Sequence, residues 1–479
     1  MSVASSLRVP VLLAAALVLT LVLPASAAAH GLVIRADLPI PEWLFGFGAA
    51  AVVIVTFVLL AVAWKEPRLE EPETRWLPDA VGRLVTSRSL EVLAGSVGVV
   101  ALGGVIWAGY TGTESPNANL APTLVYILFW LGFVPLSIVL GDVFRLFNPW
   151  RALGRAVGGM LARFEMPEPL AYPARLGNWP AAAGLLAFAW LELVATDGDL
   201  PVNVATATCI YTVVQFVGMS LFGVQRWCEQ AEAFGVYFNL LSRISPWTRD
   251  DRRIGLRPPL AGLAAVEVRA GTVALLAVII GSTSFDGFSG GATWQDWTRT
   301  LLDLFGGLGL SARYELELAY AVGLAGAVLL VGGFFLLGAA LTRRAAGDPR
   351  SVKETARRFI HGLVPIGAAY VAAHYVTLLL LQGQSLAYLL SDPRGDGSDL
   401  LGTADWTIDY GWLSPELIWY LQVGAVILGH AAALAVAHDR ALVLYGDGRR
   451  ATRSQVGMLV VMVGFTVLAL WLLSEAAKG

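Results

Sequence analysis

The stretch IPEWLFGFGAAAVVIVTFVLLAVAW, residues 40–64, carries one charged side chain, Glu42, in 25 positions. Wound as a helix at about 1.5 Å per residue, it is longer than the roughly 30 Å of a bilayer's hydrocarbon. Nine further apolar runs follow: Leu90–Tyr110, Ala121–Val143, Asn178–Ala195, Val202–Gly223, Leu260–Thr283, Leu316–Leu341, Phe359–Leu381, Leu417–Ala437 and Val456–Leu473. Backbone polar groups in lipid must be satisfied within the segment, so such runs cross as helices. The expectation is an all-α polytopic transmembrane bundle of about ten spans. Composition agrees: of 479 residues, 56% are hydrophobic and only 14% charged, against about 25% charged in soluble domains. The mean hydropathy is +0.66.

Basic residues test the division independently, because cytoplasmic loops near spans collect Lys and Arg. With the mature N-terminus outside, the five inward loops hold 5, 5, 6, 6 and 4 of the 33 basic residues. The outward segments hold only Arg35, Arg299, Arg313, Arg394 and Lys478. The pattern predicts a multi-pass plasma-membrane protein with both mature termini outside and the lipid bilayer as its main partner. A net charge of −3 offers no clustered basic surface for nucleic acid. Two cysteines, Cys209 and Cys228, make neither a disulfide framework nor a thiolate metal cluster.

The first thirty residues read as a secretory signal. Arg8 precedes the apolar stretch Val9–Leu23, then Pro24 and the small run Ala25–Ala29. Ala27 and Ala29 fit the small-x-small rule for a cut before His30, so residues 1–29 are the expected leader and 30–479 the single membrane domain. Ala25 and Ala27 allow a cut two residues earlier. Within the membrane domain two helices are expected to lie in the interface, near 149–164 and 294–306. The first starts at Pro149 and sets Leu153, Val157 and Met160 opposite Arg151 and Arg155; the second carries Trp294 and Trp297. The stretch Gln225–Trp247 reads as a further interfacial helix or an extension of the fifth span.

Ionisable and polar groups inside spans are costly and so are functional candidates. His374 lies on the eighth span with Tyr370 one turn earlier and Gln382 beyond its end; Gln422 and His430 share a face of the ninth. Glu192 sits near the outer end of the fourth span. Glu267 and Arg269 fall in the sixth, two apart on a helix, so each is expected to seek a partner on another span. His361 and His438, the latter beside Asp439 and Arg440, read as solvated inner-end groups. These positions outline a candidate substrate path, with interhelical packing as the plain alternative.

A mature N-terminal His30 offers its α-amine and Nδ1 to one divalent ion, copper or zinc, with His374 and the outer-loop Asp286 as further candidate ligands. Asp392, Asp396, Asp399, Asp405 and Asp409 crowd the loop after the eighth span, but their spacing does not match an EF-hand. Gly287–Gly291 spells G-x-S-x-G without the preceding strand a nucleophile elbow needs. No Walker loop, dinucleotide fingerprint or H-E-x-x-H is present.

The stretches AHGLVIRADLPIPEWLF (29–45), AAHYVTLLLLQGQ (372–384), LLSDPRGDGSDLLGTADW (389–406) and GHAAALAVAHDRAL (429–442) resemble actinobacterial multi-spanning membrane proteins labelled fenitrothion hydrolase-like. The resemblance covers nearly the whole chain and implies hydrolysis of an organophosphorus triester, a reaction usually run by a metal-activated water. It assigns no catalytic residue. Three readings follow: permease-like handling of a small solute or metal ion between the late helices, a membrane-bound hydrolase or other outward-facing metalloenzyme, and a membrane subunit of a larger complex or homo-oligomer.

Overall fold

The computed structural model describes residues 42–161 and 168–476; the leader, His30 and Arg163 lie outside them. The chain is an all-α polytopic bundle. Among the described residues nine helices are long and apolar enough to cross a membrane. In chain order the elements used below are α1 (Glu42–Ala63), α2 (Arg88–Thr111), α3 (Leu120–Leu140), α4 (Pro149–Leu161), α5 (Trp179–Leu193), α6 (Pro201–Phe222), α7 (Val224–Gln230) and α8 (Ala233–Ser242). They continue with α9 (Thr272–Ser289), α10 (Ala292–Phe305), α11 (Ala312–Ala346), α12 (Leu363–Leu380), α13 (Pro415–Tyr445) and α14 (Gly448–Ala476). Large apolar side chains such as Val62, Val100, Ile210, Leu329 and Leu428 stand exposed on the outside, as lipid-facing surfaces require. α9 and the α12 segment are the central elements, each with 61% of its most apolar stretch buried against 22% for α1.

Contacts between loops sort the connections onto two ends. At the arginine-rich end Trp64 Nε1 donates to Asp439 Oδ1 at 3.0 Å, Arg357 Nη2 to Val268 O at 2.7 Å, and Arg450 Nε to Ala346 O at 2.8 Å. There a three-stranded antiparallel sheet, β1 (Arg75–Trp76), β2 (Trp247–Asp250) and β3 (Arg253–Leu256), runs in the order β1-β3-β2. At the opposite, acidic end Thr113 N bonds Arg394 O at 2.7 Å and Leu120 N bonds Pro393 O at 3.0 Å.

Four expectations are corrected. The fourth apolar run yields only the 15-residue α5, about 22 Å long, because the chain turns at Val194 and reaches a polar cap on Glu317. α5 still joins the two ends: Asn178 N bonds Ala270 O at 2.6 Å at the basic end, and Thr196 Oγ1 bonds Glu317 Oε1 at 2.9 Å at the other. The sixth span starts at Thr272 and not Leu260, since Leu260 (φ 70°) and Gly271 (φ 84°) adopt left-handed backbone that breaks a helix.

The segment after the fifth span is neither interfacial nor an extension. α7 turns the chain, and α8 then enters the bundle with Phe234, Val236, Tyr237, Phe238 and Leu241 buried. Phe234 meets Phe129 of α3 at 4.6 Å between ring centres. Finally, His438 and Asp439 are 1% and 2% exposed, not solvated. His438 Nε2 faces Trp64 O at 2.9 Å and its Nδ1 faces Gln455 Nε2 at 3.0 Å, so Nε2 is placed to donate and Nδ1 to accept. His361 is buried as well. On α4, Arg151 is 5% exposed and turns inward to Gln225.

Asp348, just past α11, accepts from Arg350 Nε at 2.8 Å and from Tyr445 Oη at 3.0 Å. Burial alone would raise its pKa, but these donors and the Arg350 charge outweigh it and hold the carboxyl below its ordinary value. A lowered folded pKa contributes stability above the unfolded value of about 3.9, lost as pH falls through the folded one. Wild-type protein should therefore lose more thermal stability than Asp348→Asn when acidified from about pH 5 to about pH 3; parallel melting curves would refute this.

Candidate functional site

α9 and α12 bring a carboxylate and an imidazole together inside the acidic half of the bundle. His374 Nε2 and Asp286 Oδ2 are 2.9 Å apart, with side chains 19% and 25% exposed. Asp286 is not in an outer loop: α9 continues to Ser289, so the carboxylate rides on the helix three residues before its end. His374 lies six residues before the end of α12, about 9 Å below it. The neighbouring residue, Tyr375, has its hydroxyl within electrostatic reach of the same carboxylate. The His374 and Tyr375 rings meet edge to face at 4.6 Å. Glu192, half-buried at the end of α5, lies within electrostatic reach of both Asp286 and Tyr375.

The second layer fixes these groups. Trp130 of α3 packs on the Tyr375 ring at 4.7 Å. It comes from Thr123–Leu131, a π-helical stretch in which Gly132 N reaches Ile127 O five residues back. Pro122 and Pro135 bracket this stretch, and neither has an N–H to close an ordinary helical ladder. Such widened turns recur at functional sites. Tyr237 of α8 is 1% exposed, and among the described residues its hydroxyl has no hydrogen-bond partner. A crevice of about 20 Å³ lies against His374, lined by Thr283, Ser284, Gly287, Tyr370 and Ala373. That is space for one water and not for an organic solute.

The other sequence candidates divide. Tyr370 donates to Phe465 O at 3.0 Å and ties α12 to α14, while its ring faces that of His430 at 6.2 Å. His430 is fully buried; Nδ1 meets Val426 O at 2.8 Å and Nε2 has no partner among the described residues. It does not touch His374. Gly429 explains its tight setting, because a Cβ there would meet Ala369 Cβ at 2.2 Å and Pro365 O at 2.9 Å, so α13 packs directly on α12. Gln422 is half-buried one stretch earlier on α13. Gln382 follows α12 and donates to Tyr410 Oη at 3.2 Å, tying down the outer loop.

Glu267 and Arg269 lie outside the spans and pair with each other. The helical expectation fails because residues 264–271 are not helical, and in extended chain side chains two apart point the same way. The loop aspartates cap turns: Asp392 accepts from Asp396 N, Gly397 N and Ser398 Oγ, and Asp399 from Ser391 Oγ and Ala404 N.

Of the candidate metal ligands, His374 and Asp286 meet and His30 lies outside the described residues. Among the described residues no group of three His, Cys, Asp or Glu side chains could hold a metal ion. Tyr375 and Tyr237 escaped the sequence reading because an aromatic in an apolar run reads as core. The adjacency of Tyr375 to His374 was the one available signal. No protein-family model, curated protein or solved structure matches the chain, and the site stands on its own geometry.

Proposed function

We propose that the protein is a permease-like multi-pass protein of the plasma membrane, arginine-rich end in the cytoplasm, that passes protons coupled to a small solute or metal ion along the seam of α9 and α12. The observation that carries this reading is the Asp286–His374 pair inside the bundle, with Tyr375 and Glu192 in reach of the carboxylate. Two carboxyls and an imidazole so placed can hand one proton among three groups, the chemistry of intramembrane relays. The adjoining crevice, sized for one water, suits a proton better than an organic solute at this point. Tyr237, whose buried hydroxyl has no hydrogen-bond partner among the described residues, lies within electrostatic reach of Tyr375 and offers the relay a further polar group.

The test is purified protein in liposomes with an internal pH dye and an imposed potential. Replacement of His374 by alanine should lower proton flux at least about tenfold, while Gln422→Ala leaves it near wild type. Equal flux through wild type and His374→Ala would end the proposal.

A second reading, a membrane-embedded hydrolase as the family resemblance implies, is supported by the same dyad, because a carboxylate-oriented imidazole beside Ser284 is the base half of a hydrolytic site. Phenol release from a chromogenic organophosphorus triester, lost in His374→Ala, would favour it over the permease.

A further inference from the structure

At the basic end a cavity of about 300 Å³ lies against α8, whose residues Gly235, Val236, Asn239 and Leu240, with the C-cap Arg243, form one wall at helical spacing. Four guanidinium groups line it, from Arg145, Arg151, Arg243 and Arg269, against three carboxylates, Asp142, Glu229 and Glu267. Each carboxylate already has a donor. Asn239 Nδ2 gives to Asp142 at 2.8 Å, Gln225 Nε2 gives to Glu229, and Arg269 pairs with Glu267.

Of the other three arginines, two meet no carboxylate among the described residues and the third only a distant one. The Arg145 side chain makes no hydrogen bond or ion pair among the described residues. Arg243 gives a bond to neutral Asn239 Oδ1 at 3.2 Å and meets no carboxylate. Arg151, 5% exposed, bonds neutral Gln225 through Nη2, while among the described residues its Nε has no hydrogen-bond partner and only a long ion pair, to Glu91 at 3.9 Å. Burial first, then the Arg145 charge, pulls the Arg151 guanidinium below its ordinary pKa. Arg145 acts likewise on Arg249, and Arg243 on Arg257. The like charges of Arg145 and Arg151, facing one partly dry cavity, repel, and an anion between them and Arg243 would relieve the repulsion.

We propose that this cavity binds a phosphate-type oxyanion, held by Arg145, Arg151 and Arg243. Their planar forks match phosphate oxygens in pairs. A free phosphate or phosphomonoester and the headgroup of an anionic lipid present the same chemistry here.

The experiment uses the full chain in nanodiscs of phosphatidylcholine, titrated with inorganic phosphate while the melting temperature is followed, alongside native mass spectrometry after exposure to phosphatidylglycerol. A free-anion site shows a saturable rise with phosphate that Arg145→Gln weakens at least tenfold. A lipid site shows no phosphate effect but retains phosphatidylglycerol on wild type and loses it in Arg145→Gln/Arg243→Gln. Arg145→Gln has no bond to lose, so folding does not confound it. The proposal is overturned if neither ligand distinguishes wild type from these variants, or if the exposed Arg83→Gln produces an equal loss.

Discussion

Replacing Glu232 with alanine is expected to destabilise the bundle by on the order of 5 kcal/mol. Glu232 is completely buried, and its two oxygens accept from Asn148 Nδ2 at 2.8 Å, Tyr211 Oη at 2.6 Å, Phe234 N at 3.0 Å and Gly235 N at 2.7 Å. Four donors on one carboxyl match what an ionised acceptor-only group offers. The alanine variant leaves all four in the interior, each costing about 1–3 kcal/mol when unsatisfied. It also removes the cap of α8, the helix that carries Tyr237. The carboxylate closes over Gly235, where a Cβ would sit 2.5 Å from Glu232 Oε2. Glu232→Gln keeps one acceptor and turns an amide toward the donors, so it should fall between wild type and alanine. The measurement is the melting temperature in detergent, where alanine should lower it by about 10 °C or more. A shift of a degree or two would show that these donors find other partners.

Substituting Asp286 with asparagine is expected to reduce proton flux about a hundredfold with little loss of folded protein. Asparagine preserves the shape and one acceptor for His374 or Tyr375, but it removes the charge that makes the pair exchange a proton. Asp286→Ala should reduce flux equally and also lower stability, since it strands His374 in a bundle interior. Asp286→Glu keeps the charge but moves it by one methylene, so partial flux is expected. Should asparagine conduct like wild type, Asp286 would be a packing group, and Glu192 would be the next residue to replace. The flux assay separates these outcomes because folding is followed independently by melting.

Helix type and most span positions were legible because the constraint on them is local: a run of apolar residues of membrane length satisfies its backbone polar groups within itself. The errors came where one residue interrupts that local rule. Gly271 in left-handed backbone shortens the sixth run from its start, and the turn at Val194 shortens the fourth from its end. Asp286 looked like a loop residue because a carboxylate among glycines and serines reads as polar surface, whereas α9 carries it into the interior against His374.

The amino-acid sequence by itself determined that this is a multi-pass helical membrane protein, since hydropathy and length act within each segment and need no partner. It also singled out His374, because an ionisable group in an apolar run is unusual whatever surrounds it. Only the tertiary structure decided that Asp286 meets that histidine with Tyr375 and Glu192 in reach of the carboxylate, that α8 dives into the bundle on its Glu232 cap, and that three arginines face one cavity with only the distant Glu91 as their carboxylate. Those relations join residues tens to more than a hundred positions apart, and such pairings depend on how helices pack against one another, which no periodicity within a single segment encodes.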